Sequence, residues 1–330
     1  MSTHSLHTET VEMTTTACVE PPETPRLHQV TGRTGLGIAL TLTTVALWSV
    51  LPLGLRIALG GLDAGTLTWS RFLSAALVLG TVLTLQGGLP PVRRFTRADW
   101  MLLAVATVFL CANYLLYVLG LDRTNAGTAQ VVIQLAPLLL AVGGVFVYGE
   151  SLRAPQWLGF ATMLAGFLLF SYVQIGHLVG VLDRYYSGLV CIVLAAIAWA
   201  IYGLAQKQLL DRMRSPQVLL CLYVGGAVLF APLADPARLL RLTSTELAAL
   251  VFCIANMLGS YGTFAEALVH LEASRVSALL AIVPLSTLAA ISVARLVVPS
   301  LVAPEPLTPL AWLGATLVVT GSLGAALGRR

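Results

Sequence analysis

The sequence predicts an all-α integral membrane protein with ten transmembrane helices, arranged as two inverted five-helix repeats. Three observations carry this. The composition is too apolar for water, ten apolar runs have roughly membrane-spanning length, and an internal repeat contains an odd number of those runs.

Of the 330 residues, 57% are hydrophobic and only 10% are charged. Soluble domains carry about 25% charged and about 45–50% apolar residues. So little polar surface could not cover a core of this size in water, which makes lipid the solvent for most of the chain. The net charge of +4 comes from 18 arginines and one lysine against 15 acids. Spread over connecting loops, that excess is an orientation signal and not a nucleic-acid footprint. Cys111, Cys191, Cys221 and Cys253 lie inside apolar runs, so no disulfide is expected. His4 and His7 have no cysteine or second pair beside them, and neither a metal nor a cofactor is expected.

Residues 1–34 are polar, rich in Thr, His and Glu, and lack the apolar core of a signal peptide; they read as a disordered cytoplasmic tail. About 20 apolar residues then suffice for each crossing. The first five runs are 35–58, 65–85, 99–120, 126–148 and 155–173; the second five are 187–207, 217–233, 247–270, 276–298 and 310–327. With the amino terminus inside, twelve basic residues flank inner ends, among them Arg93, Arg94, Arg97, Arg212 and Arg214. Only five, Arg56, Arg123, Arg184, Arg238 and Arg241, flank outer ones. The bias places both termini in the cytoplasm.

The stretch ESLRAPQWLGFATMLAG from Glu150 to Gly166 aligns without gaps on EPLTPLAWLGATLVVTG from Glu305 to Gly321. Upstream, Tyr114 matches Tyr261, Leu121 matches Leu268 and Pro137 matches Pro284 at one constant offset. Trp48 through Arg56 runs parallel to Trp199 through Lys207. A unit of five spans forces the second copy to insert upside down, the organisation of secondary transporters that bind solute near the midplane between the copies. The organisation is therefore residues 1–34, a first repeat over 35–173 and a second, inverted repeat over 187–327. The second copy carries eight extra residues around VVPSLVAPEP, where Pro299, Pro304 and Pro306 point to an irregular loop.

The motifs in this order resemble the EamA family of the drug/metabolite transporter superfamily over residues 35–327. They are ALWSVLPLGLRIAL in the first run, the arginine of TLTWSRFLSAALVL, the central proline and closing glutamate of AQVVIQLAPLLLAVGGVFVYGE, and PQWLG opening the fifth run. The resemblance implies a ten-helix bundle in the cytoplasmic membrane. Its expected action is secondary transport by alternating access, with export of a small metabolite such as an amino acid, a nucleoside or an amphiphilic compound. It identifies a family well and a substrate poorly. For Arg71 it implies a structural role.

Polar and bulky groups inside spans are costly and face the bundle interior, so they mark the pathway. Trp48 and Trp199 stand near the midplane at repeat-related positions, as walls of a solute cavity or as core filling. Gln130 and Gln134 share a face of the fourth run, and Pro137 frees a carbonyl beside them. They offer hydrogen bonds to a solute or serve as interhelical ties. Asn113 and Tyr114 in the third run, and Asn256, Ser260 and Tyr261 in the eighth, are further cavity candidates, joined by Tyr117 and Tyr202. Arg71, in the outer third of the second run, meets an anionic group or snorkels outward to pin backbone carbonyls. Glu266 is a candidate for proton coupling or the partner of Arg275 or Lys207. Gly159 with Gly166, and Gly314 with Gly321, read as close-packing positions.

An integral membrane enzyme acting on lipids is the alternative, but no nucleophile, base or metal cluster stands out. A non-transporting structural or sensor protein would need a signalling domain, and none is present in these 330 residues. The expected partners are a small-molecule substrate and the bilayer, with no nucleic acid; a homodimer is left open.

Overall fold

The structure is a computed structural model, which describes residues 33–148, 154–176, 182–210, 212–271, 276, 279–298 and 308–327. The expected tail up to residue 32, Glu150, Arg275, Glu305 and the proline-rich stretch 299–306 lie outside the described residues.

Among the described residues the regular structure is helical, without strands. The helices of the first repeat are α1 (Thr34–Ala58), α2 (Ala64–Leu85), α3 (Arg97–Arg123), α4 (Ala126–Val132), α5 (Leu135–Tyr148) and α6 (Ala154–Gly176). Those of the second are α7 (Leu182–Leu210), α8 (Ser215–Phe230), α9 (Ser244–His270), α10 (Val283–Val297) and α11 (Pro309–Leu327). Six segments are long and apolar enough to cross a membrane: α1, α2, α3, most of α7, α8 with the turn after it, and most of α9. Four shorter apolar segments, Ala126–Leu140, Ala154–Phe170, Val283–Val297 and Pro309–Gly324, accompany them.

Helix starts follow from capping side chains. Asp63 accepts from the Thr66 N–H, Asn125 accepts from the Thr128 N–H, and Thr96 with Asp99 and Thr243 with Glu246 form reciprocal capping boxes. The fourth run is not one helix. It breaks at a turn over Ile133–Gln134, and the second copy breaks similarly at Ala281–Ile282, just before Pro284. Proline at position i removes the donor to the carbonyl of residue i−4, which loosens the helix at that point.

Large apolar side chains point outward along several helices: Leu77, Val78, Trp157, Leu158, Leu168, Val228 and Val251 are all exposed. That much outward apolar surface fits a lipid solvent. Inside, the contacts between copies are reciprocal. The first helix of each copy packs on the third of the other (α1 with α9, α7 with α3), and each also meets the fourth segment of the other (α1 with α10, α7 with α5). The second helices pair, as do the fifth (α2 with α8, α6 with α11). Such mutual pairing is the contact pattern of a two-fold relation. The α6–α11 pair is closest: a Cβ on Gly166 would stand 2.6 Å from the Val318 backbone nitrogen, and one on Gly314 would stand 2.8 Å from the Phe170 nitrogen. These glycines are what let the two backbones touch.

Candidate functional site

Prolines within the spans leave main-chain carbonyls without their usual donors. Pro52 in α1 has no N–H to offer Trp48 O, and Pro284 has none for Leu280 O. Two glutamines one turn apart take up these oxygens. Gln130 Nε2 donates to Trp48 O at 2.8 Å, and Gln134 Nε2 donates to Leu280 O at 3.2 Å. The third such carbonyl, Ile133 O below Pro137, accepts the Ala136 N–H at 2.9 Å in a tight turn. Gln134 therefore ties the break of the first repeat to the break of the second. Asn113 Nδ2 likewise donates to Ala195 O at 2.9 Å on α7, and Asn256 Nδ2 to Leu47 O at 2.7 Å on α1. The acceptors are carbonyls, so the amide orientations follow from the bonds themselves. All four candidate amides thus act as ties between helices; three of them also border a cavity.

That cavity, of about 120 Å³, lies between the two copies. Trp48, Arg71, Asn113, Tyr114, Gln130 and Gln134 face it from the first repeat, and Trp199 and Tyr261 from the second. Tyr117 and Pro137 line it too. Its aromatic wall is continuous: the Trp48 ring lies 5.7 Å from Tyr261 and 5.5 Å from Phe264, Trp199 lies 6.2 Å from Phe264, and Tyr114 lies 5.7 Å from Tyr261. Phe264 therefore sits between the two tryptophans. The walls are mainly apolar, with few polar groups converging on them, as in small-molecule sites.

Arg71 does not snorkel. It is 1% exposed, its guanidinium carbon lies 4.9 Å from the centre of the Tyr114 ring, and its Nε and Nη2 have neither solvent nor a hydrogen-bond partner among the described residues. The described carboxylates that pair lie elsewhere: Asp63 and Asp235 with Arg238, Asp99 with Arg212, Asp122 with Arg184, and Glu266 with His270.

The other candidates sit away from this cavity. Tyr202, Asn256 and Ser260 are buried in the bundle; the Tyr202 hydroxyl, Asn256 Oδ1 and Ser260 Oγ find no hydrogen-bond partner among the described residues. Glu266 is half exposed near the end of α9, with an oxygen 3.5 Å from His270 Nε2. At the end of the bundle where α2 begins, Asp63 accepts the Thr66 N–H and hydroxyl, and Thr66 Oγ1 accepts the Asp235 N–H at 2.9 Å. Partial burial works against the Asp63 charge, but the Thr66 hydrogen bonds and the Arg238 charge outweigh it and hold its carboxyl below the usual carboxylate range.

Two halves, each broken in its fourth segment, enclose an aromatic cavity at their junction. Both halves match the EamA-like transporter family, over residues 35–172 and 186–327. The chain belongs to the EamA-like transporter family.

A relative in Escherichia coli (strain K12), the uncharacterised inner membrane transporter YhbE, is 37% identical over 297 residues, covering 90% of this chain and 92% of that one. A probable terminal-alkyne amino-acid exporter of Streptantibioticus cattleyicolor is 28% identical over 196 residues, covering 59% of this chain and 62% of that one. A solved crystal structure matches the fold with a TM-score of 0.60 at 22% identity, over 88% of this chain and 96% of that one. Membership of the EamA-like family makes this chain a membrane transporter of the drug/metabolite transporter superfamily and not an enzyme.

Sequence reasoning missed Phe264, Leu280, Ile133 and Val283 as cavity neighbours. Two signals pointed to some of them. Phe264 stands at the repeat-related position of Tyr117, and Leu280 is four residues before Pro284.

Proposed function

We propose that this EamA-like chain is a secondary exporter that carries a small amphiphilic metabolite across the cytoplasmic membrane by alternating access at the junction of its repeats. The observation that carries the reading is the aromatic cavity of about 120 Å³ walled by both copies. A cavity of about 150 Å³ is known to admit benzene, so this one suits a solute of about amino-acid size better than a nucleoside. In this reading α4 with α5 forms one broken span, the segment ending in α10 forms its counterpart, and ten spans result. The second repeat is inverted relative to the first, and the basic residues at inner ends place both termini in the cytoplasm. The exporter named among the relatives acts on an amino acid, which agrees in size and amphiphilic character.

The purified chain in proteoliposomes, loaded with unlabelled amino acids or amphiphilic amines, should accumulate the labelled solute by counterflow, with and without a pH gradient. Rates equal to those of empty liposomes across the panel would reject the proposal.

A further inference from the structure

We infer that Arg71 is a substrate-reading residue, and that the solute carries a carboxylate which its guanidinium receives. This rests on the cavity between the repeats being the transport site. An arginine cannot shed its proton at any accessible pH, so burial leaves a fixed positive charge that a lysine could have neutralised. Uncompensated, such a charge costs several kcal/mol, and nature places it where an anion or paired acid meets it.

The described residues place no acid there. Among the described residues no carboxylate pairs with Arg71, and the cavity lining contains none. What the protein does supply is the Tyr114 ring 4.9 Å from the guanidinium carbon, which stabilises a cation through its quadrupole and leaves the N–H groups unused. Nε and Nη2 are the orphaned donors, on one side of a planar fork whose spacing matches the two oxygens of a carboxylate; both are sealed in this conformation, so a carboxylate reaches them when the cavity wall around Arg71 opens.

The site is one-sided. The helix that pairs with α2 across the two-fold relation, α8, reads SPQVLLCLYVGGAVLF and has no Asp, Glu, His, Lys or Arg. Among the described lining residues the cavity therefore has a single charged corner, three amides tied to carbonyls, and an otherwise aromatic and aliphatic wall. One guanidinium balances one negative charge, which favours a monoanionic carboxylate over a phosphate dianion. The preferred solute is an amphiphile with its carboxylate at Arg71 and its apolar body against Trp48, Trp199 and Tyr261.

The test uses the full chain in lipid nanodiscs, with binding followed by tryptophan fluorescence and transport by counterflow. The probes are leucine, leucinamide, 3-phenylpropionate and 3-phenylpropionamide; the last two differ in charge at nearly constant shape. The wild type should prefer each acid to its amide at least ~10-fold, about 1.4 kcal/mol. Arg71→Gln should bring acid and amide within about twofold. Arg71→Lys, which keeps the charge but loses the fork, should fall between them. Size-exclusion profiles check folding; if Arg71→Gln does not fold, the wild-type ratios and Arg71→Lys decide. Equal affinity for acids and amides in the wild type, or an acid preference that survives in Arg71→Gln, overturns the assignment. Transport of all probes without discrimination would sink the Arg71 assignment alone, whereas transport of none, with no other solute moved, would sink the transport site itself.

Discussion

Gln134 offers a direct test of how this fold tolerates broken helices. Its side chain is 5% exposed and its Nε2 donates to Leu280 O at 3.2 Å, the oxygen for which Pro284 has no N–H. In Gln134→Leu the oxygen stays buried without that donor, at a cost of about 1–3 kcal/mol for an unsatisfied buried acceptor. Interhelical bonds in membranes average about 0.6 kcal/mol and reach about 1.7. The expected loss is therefore about 1–2 kcal/mol. Pro284→Ala restores a main-chain N–H four residues after Leu280, so the carbonyl no longer needs the glutamine. In that background Gln134→Leu should cost about 0.5 kcal/mol or less, giving a coupling of about 1 kcal/mol in a double-mutant cycle. Equilibrium denaturation in mixed micelles measures each corner. Equal costs of Gln134→Leu in both backgrounds would show that Gln134 does not serve the proline-freed carbonyl.

Other perturbations have definite expected outcomes. Trp48→Ala and Trp199→Ala should leave folded yield near normal while changing transport rate or preference, because one side of each ring already faces the cavity; a core tryptophan would cost about 3–5 kcal/mol and abolish expression. Gly166→Ala and Gly314→Ala should each destabilise by about 1–3 kcal/mol in denaturation curves, since the new Cβ meets backbone at 2.6–2.8 Å; unchanged curves would reject the close contact of α6 and α11. The Asp63 carboxyl is held below its ordinary value of 3.8, so its contribution is present above that value and lost as pH falls through its lower folded pKa. Melting temperature should be insensitive to this group from pH 7 to about 5, and Asp63→Asn should shrink the part of the decline below about pH 4. The partners are half exposed, so the effect is small and weakens with salt.

Much of the helical order is legible because lipid demands it: apolar runs of crossing length have few other solutions. The starts near Thr34, Ala64, Ala126 and Ala154 fall within a residue of the apolar-run boundaries. The start of α7 at Leu182 does not, because LDRYY is polar enough to end an apolar run yet continues the helix. The break at Ile133–Gln134 was hidden inside a continuous apolar stretch. Only Pro137 hinted at it, and a proline does not say where the chain will give way. The repeat matches brought Trp48, Trp199, Tyr114 and Tyr261 into view, and they share one cavity wall. Asn256 and Ser260 were chosen on the same ground but pack away from the cavity, since equal depth says nothing about the direction a residue faces. Arg71 is the instructive residue. Its sequence position allowed either snorkelling or burial, and only the packing of Tyr114 against it decides.

The most direct test of the central claim asks whether the cavity between the repeats is reached from each side in turn. On a background with the native cysteines replaced, Ile133→Cys puts a thiol at the cavity wall, beside the break in the first repeat. An impermeant thiol reagent is applied to oriented vesicles from one face and then from the other, with and without leucine. The account predicts labelling from both faces, slowed by a transported solute and shifted towards one face when the solute is present on one side only. Labelling confined to one face under all conditions, or labelling that a transported solute does not slow, would contradict it.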